Sequence, residues 1–280
     1  MRDSLRKLRD SRPPYSVLRI ACYTARMENV LRAPSLTALG FQHGFSTRMG
    51  GVSSAPFDSL NLGASRGDAS EHVAENQRRF AAAVGYDPGR LLMLNQVHGR
   101  HVQEISAQDE PAAVRGIEGD ALVAPPGVPV GVRSADCMPV LLVDPVSRQV
   151  AAAHAGWRGV LAGVVPAALE VLARRAAAQA SQLRAAVFPH IRRCCFEVDD
   201  ALAEQLAAAG PGAEQSVFQV DAGKPYVALD AIVRAQLIAA GLPDANIEDV
   251  PGCTCCDAER FFSYRRDGAQ FGMHFAVVVG

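Results

Sequence analysis

The chain lacks any apolar run as long as the roughly 20 residues a membrane-spanning helix needs, and its most apolar stretches are broken by Asp, Arg or Pro. It therefore reads as soluble, with no membrane partner. Charge imbalance is missing as well: 28 basic residues stand against 29 acidic ones, so no overall field draws the chain to nucleic acid or to an anionic bilayer. A small-molecule partner is the better expectation. There is no disulfide framework either, because seven cysteines in 280 residues, an odd number and partly in adjacent pairs, do not fit the pattern of a small secreted domain. Reduced thiols in a cytoplasmic protein are expected. The N-terminal segment is basic, with seven Arg or Lys between Arg2 and Arg26 against two acids, yet it has no continuous apolar core of the secretory kind. Residues 1–30 are expected to be a disordered extension, with Met27 a candidate natural start and one large domain over residues 31–280.

What is present begins with a loop-rich stretch, Phe41 to Gly63, dense in Gly, Ser, Asn and Pro; loops of that length usually carry function. Asp68 to Val84 reads as a helix that Asp68 or Ser70 can cap, with Val73, Phe80 and Val84 as its apolar face and Gly85 as its end. Strands are predicted at Leu91–Val97, Ala121–Ala124 and Val128–Val132. Two more, Met138–Val143 and Gln149–Ala153, are separated by a turn signal and should pair antiparallel. After Gly156-Trp157-Arg158-Gly159 a helix is predicted over Val160–Ala178, with Pro166 as a kink point. A strand at Leu183–Phe188, helices at Asp200–Ala209 and Leu229–Ala240, and a buried strand at His274–Val279 complete the reading.

If the hairpin turns symmetrically through Asp144–Ser147, Val143 faces Arg148 and Cys137 falls directly opposite His154. Opposed residues of an antiparallel pair have Cβ atoms about 4.5–5.5 Å apart, from which a thiolate and an imidazole both reach one zinc ion. Pro139 sits awkwardly there, since it removes a ladder donor. For a third ligand the residues offer His98, at the end of a predicted strand and before Gly99, and His101, which has no such framing. Three protein ligands leave a fourth position for water or substrate, the catalytic form of a zinc site.

Together, HGFSTRMGGVS with SLNLG, NQVHG, SADCMPVLLVD, AAAHAGWRG, IRRCCFEV and FFSYRRDG resemble the YfiH, or laccase-domain, family from about Leu31 to the C-terminus. The resemblance implies a zinc-dependent purine nucleoside phosphorylase with adenosine deaminase activity, from a group earlier regarded as polyphenol oxidases. It implies a mixed α/β fold, a layered α/β/β/α sandwich of the cysteine-hydrolase type, and metal ligands at His98, Cys137 and His154. Its partners would be a purine nucleoside and phosphate. One departure is Phe188-Pro189, where the family usually has Gly-Pro; a Phe cannot easily adopt angles that only Gly tolerates.

Phosphorolysis needs an anion site, stabilisation of a cationic sugar and a donor to the departing base. Arg48, in the Gly-flanked STRMGG loop, and Arg158, at a predicted helix start, are the candidates for phosphate. Asp136, beside Cys137, is a candidate acid–base group for deamination or an orienting acceptor. The chain lacks the H-x-E and P-C-x-x-C signature of the usual zinc nucleobase deaminases. Two rival chemistries use the same residues: a cysteine hydrolase with Cys137 as nucleophile and His154 as base, and a copper-dependent oxidase with Met138 nearby, copper being a strong competitor at such ligands. Cys253-x-x-Cys256 with Cys194 and Cys195 has the spacing of a structural zinc module, although adjacent cysteines rarely share one ion. Cys255 and Cys256 exceed the family's usual pattern, Trp157 reads as a packed or pocket-lining aromatic, and Tyr264 with Arg265 and Arg266 could border the site or merely cover the sheet.

Overall fold

The computed structural model describes residues 29–64, 67–220 and 223–280. The expected N-terminal extension and the candidate start at Met27 fall almost wholly outside the described residues.

Strands run, in chain order, β1 Val30–Leu31, β2 Gln42–Ser46, β3 Val102–Glu104, β4 Ala121–Ala124, β5 Val130–Ser134, β6 Met138–Val143, β7 Val150–Ala155, β8 Arg184–Val187, β9 Val217–Phe218, β10 Tyr226–Val227, β11 Ile247–Asp249 and β12 His274–Val279. The helices are α1 Pro34–Ala38, α2 Ser70–Val84, α3 Pro111–Val114, α4 Trp157–Ala162, α5 Val164–Ala176, α6 Asp200–Ala207, α7 Leu229–Ala239 and α8 Tyr264–Asp267. A six-stranded sheet of order β11-β8-β6-β7-β4-β3 packs on a four-stranded sheet of order β1-β2-β12-β5, and β9 and β10 form a small ribbon.

Alternation along the strands builds the layers, because successive side chains point to opposite faces. On β6, Val140 and Leu142 join Ala151 and Ala153 of β7 under Val164, Leu169 and Leu172 of α5 and Ile232 and Val233 of α7. The intervening Leu141 and Val143 meet Phe45, Val130, Val132, Ala276 and Val278 of the other sheet. That second sheet turns Phe275 and Val277 outward against Phe80 and Val84 of α2. The result is the expected α/β/β/α sandwich, with both sheets covered on both faces, which is why their strands read as continuous apolar runs.

Several elements depart from the sequence reading. Leu91–Val97 forms no strand, only isolated bridges at Leu92 and Asn95, because its last residues turn their N–H groups toward a buried carboxylate described below. Ala69, not Asp68 or Ser70, stands at the start of α2 and makes no side-chain cap. The Asp68 carboxylate instead accepts from Ser53 Oγ at 2.6 Å and Asn61 Nδ2 at 2.8 Å, tying the long loop to the helix. The long helix after β7 breaks at Gly163, in the left-handed region at φ 77°. Pro166 falls in the first turn of α5, where a missing N–H costs little. Phe188 adopts no positive φ; its ring stacks on Phe45 at 6.1 Å and fills space between the sheets.

The hairpin register is the correction with most bearing on the site. Val143 pairs with Val150 and Pro139 with His154, so the connection holds six residues instead of four. Asp144 explains it: its carboxylate accepts from Val146 and Ser147 N–H, and Arg148 adopts φ 62° to close the loop. A slip of two residues leaves every side chain on its expected face, whereas a slip of one would not. Cys137 therefore stays on the His154 side, one step diagonal to it and just ahead of β6. Pro139 lies opposite Phe188, one step before the Val140↔Val187 pair of the β8 ladder; its carbonyl accepts the Phe188 N–H at 3.0 Å, and His190 Nδ1, 2.8 Å from the Phe188 carbonyl, takes the place of the N–H that proline lacks.

Among the described residues no helix is long and apolar enough to cross a membrane. Leu141→Ala, at the fully buried layer between the sheets, should lower unfolding free energy by about 2–5 kcal/mol in urea titration. A loss below about 1 kcal/mol would contradict close packing of the two sheets.

Candidate metal centre

His98, Cys137 and His154 are brought together by three separate segments: the turn after the Leu91–Val97 stretch, the lead-in to β6 and the end of β7. One potential ligand atom from each lies within 4.8 Å of the other two, and the two imidazoles meet edge-on at 4.9 Å between centroids. The group grades from buried His154 through half-buried Cys137 to exposed His98, so a small molecule reaches it from the His98 side. His101, the other histidine candidate, points away and lies 3.4 Å from Gln103 Oε1.

The residue that assembles this group is Asp120, fully buried at the entry of β4. Its carboxylate accepts from the backbone N–H of Val97 at 3.2 Å, His98 at 3.0 Å and Gly99 at 2.6 Å. It also binds His154 Nδ1 at 2.8 Å, and its carbonyl accepts the His154 N–H at 2.7 Å. Three successive N–H groups can converge on one anion only if the turn bends sharply, and His98 does so at φ 61°. Such a conformation costs a non-glycine residue of order 1–3 kcal/mol and persists when its surroundings enforce it. With Nδ1 engaged by Asp120, His154 keeps Nε2 for a metal, as ligating histidines usually do.

Charges in the group are matched. Burial alone would raise the Asp120 carboxyl, but His154 and the N–H groups of Gly99 and His98 outweigh it and hold it below the ordinary carboxylate range. Burial likewise opposes a Cys137 thiolate, yet His154 and His98 bring that thiol down to about 6. His154 resists charging by burial, and the Cys137 thiolate and Asp120 lift it to about 9. Both shifts run toward a thiolate–imidazolium pair in the metal-free centre.

Two nitrogens and one sulfur, already facing one point, fit a borderline-soft divalent ion. Gly156 shows how closely the cradle is drawn: a Cβ there would lie 2.9 Å from Cys137 Sγ and from His98 Cδ2. Only glycine leaves that space to the ligands. Met138, by contrast, is turned into the core with Val140 under α5 and supplies no axial sulfur.

The other sequence candidates are placed differently. Arg48 Nε donates to Asp58 O at 2.7 Å, Nη1 to Ala258 O at 3.0 Å, and Nη2 lies 3.2 Å from the Asp58 carboxylate. Arg158 is exposed and stacks over Trp157 at 4.0 Å. Asp136, at φ 90°, accepts from Thr254 Oγ1 and from Arg265 N–H, both at 2.6 Å. Arg265 and Arg266 donate to backbone carbonyls of neighbouring loops, and exposed Tyr264 packs edge-on to Phe271. Asp120 and Gly156 were missed in the sequence; an acid directly before a four-residue apolar strand was the available signal for the first.

Asp120→Asn would present amide hydrogens to a nest of N–H donors. It should weaken zinc binding by about 10–100-fold, measured by competition with a chromophoric chelator. Unchanged affinity would remove Asp120 from this role. Zinc uptake at pH 7 should also release about one proton, from the His154 imidazolium, readable as a dependence of calorimetric heat on buffer ionisation enthalpy. Zero release would contradict the charged pair.

The family described as multi-copper polyphenol oxidoreductase laccase matches residues 42–280. A purine nucleoside phosphorylase of Deinococcus radiodurans is 40% identical over 250 residues, covering 89% of this chain and 92% of the relative. The purine nucleoside phosphorylase YlmD of Geobacillus stearothermophilus is 33% identical over 89% of this chain and 93% of its own. The crystal structure of YlmD from that organism superposes with a TM-score of 0.84 at 31% identity, covering 91% of this chain and 97% of that one. YfiH of Bacillus licheniformis superposes with a TM-score of 0.80 at 29% identity, covering 86% and 92%. By sequence and by fold alike, the chain belongs to the laccase-domain family that includes YfiH and YlmD.

Proposed function

We propose that the chain is a zinc-dependent purine nucleoside phosphorylase of the cytoplasm. It would convert adenosine, inosine or methylthioadenosine and phosphate to the free base and the sugar 1-phosphate, with adenosine deamination as an accompanying activity. The observation that carries the reading is a three-donor centre, open on its His98 side, in a chain whose relatives are named for this reaction. The six described cysteines are free thiols, in keeping with a reducing compartment.

Zinc is favoured over a blue-copper arrangement by the inward turn of Met138. A bound zinc supplies Lewis acidity at its fourth, non-protein position. The rest falls to side chains of the chain itself. Asp120 holds His154 in one tautomer and fixes the His98 turn. Arg158 is the better-placed donor for phosphate, since among the described residues no carboxylate pairs with it, while Arg48 would have to leave Asp58 first. Asp136, with both oxygens taken by Thr254 and Arg265, acts as a positioning residue for Cys137 and not as the acid–base group.

The test is to incubate purified protein and a His154→Ala variant with adenosine in phosphate buffer and to separate the products by chromatography. Adenine and ribose 1-phosphate are expected, with inosine alongside, falling by at least about 100-fold in the variant. Inosine alone would make the protein a deaminase. Turnover that survives metal removal but needs Cys137 would instead support a cysteine hydrolase, which the depressed Cys137 thiol also suits.

A further inference from the structure

A second cluster lies outside the centre just described. Cys194, Cys195, Cys253 and Cys256 bring four sulfurs within 4.8 Å of one another. Cys256 Sγ is 3.2 Å from Cys194 Sγ and 3.1 Å from Cys195 Sγ. A disulfide requires about 2.05 Å and joins one sulfur to one partner, whereas here one sulfur is shared between two and all four thiols are free.

The backbone accounts for the convergence. The Arg192 carbonyl accepts from both Cys195 and Phe196 N–H at 2.9 Å, and the Cys253 carbonyl accepts from Asp257 N–H at 3.1 Å, so each cysteine pair sits on a tight turn. A parallel bridge between His190 and Cys253 lays the two turns side by side. That arrangement overcomes the usual divergence of adjacent cysteines, because the first turn aims both Cys194 and Cys195 at Cys256. The Arg192 N–H points at Cys253 Sγ from 3.4 Å, as donors commonly do toward metal-bound thiolates.

We propose that Cys194, Cys195, Cys253 and Cys256 form a second metal site, a closed four-thiolate centre for zinc that is separate from His98, Cys137 and His154. All four positions come from protein, which is the structural and not the catalytic form. Four thiolates around a divalent ion leave two negative charges. Arg265, donating to Cys195 O at 3.0 Å, and Arg266, donating to Cys255 O at 3.2 Å, set two guanidinium groups against the backbone of the two turns. The site also reaches the first centre: Thr254, inside the Cys253–Cys256 turn, holds the Asp136 carboxylate at 2.6 Å, and Asp136 directly precedes Cys137. Metal at the four cysteines pins both turns and, through Thr254 and Asp136, steadies the segment that presents Cys137. Nothing in this depends on the nucleoside reaction.

The full chain, purified under reducing conditions, should carry about two zinc ions by elemental mass spectrometry, with about one left in Cys137→Ser and about one in Cys253→Ser/Cys256→Ser. Should the double variant fail to fold, the wild-type protein decides. Cys194 and Cys256 are exposed, so zinc-loaded protein should resist maleimide labelling there and label readily after chelation. A Cys137→Ser variant free of zinc, equal labelling of loaded and chelated protein, or an intact mass showing disulfides in place of metal would each overturn the second site.

Discussion

One buried carboxylate organises the candidate centre. Asp120 collects three consecutive N–H groups from the turn at Val97–Gly99 and one ring nitrogen from His154. Burying an ionised carboxylate is costly unless its oxygens are fully hydrogen-bonded and a positive charge is near. Both conditions are met here by the groups that must themselves be positioned. The requirement to satisfy Asp120 is therefore also what bends the His98 turn and fixes the His154 tautomer. Without that anion the left-handed His98 would have no reason to hold its angle.

The sandwich supplies the rigid frame for this arrangement. Both faces of the six-stranded sheet are buried, so the ends of β4, β6 and β7 are held in fixed relation. The segments leading into β4 and β6 and the end of β7 carry Asp120, Cys137 and His154. The centre thus sits where strands end and backbone groups fall free of the ladder. Glycine at position 156 lets the start of α4 approach the ligands within contact distance. Asp136, the other left-handed non-glycine residue beside the group, is held by Thr254 and Arg265 instead of by the ladder.

Much of this was legible from the sequence, for identifiable reasons. Apolar runs at Ala121–Ala124, Met138–Val143 and His274–Val279 mark strands buried on both faces, and the structure places strands at those positions. The family resemblance correctly anticipated the layered fold. The hairpin argument brought Cys137 and His154 to one side by a register that was wrong by two residues, an error that parity forgives. The six-residue turn could not be read, because it depends on Asp144 capping its own loop. Leu91–Val97 misled for a related reason: its apolar run Leu91–Leu94 is buried apart from half-buried Met93, but the N–H groups at its end are claimed by Asp120, which is distant in sequence. Arg48 looked free in its glycine-flanked loop, yet its donors are spent on Asp58 and Ala258, contacts that no local pattern encodes. Adjacency in sequence argues against a shared ion at Cys194-Cys195, whereas the turn that holds them brings both sulfurs within 3.2 Å of Cys256 Sγ, which no local pattern encodes.

An open metal centre of three protein ligands is tested most directly by an anomalous-difference map from a crystal of the zinc-loaded protein, collected on either side of the zinc edge. A peak is expected between a ring nitrogen of His98, Sγ of Cys137 and Nε2 of His154, with no protein atom in the fourth position. A map without a peak there, or with a fourth side chain closing the site, would contradict it.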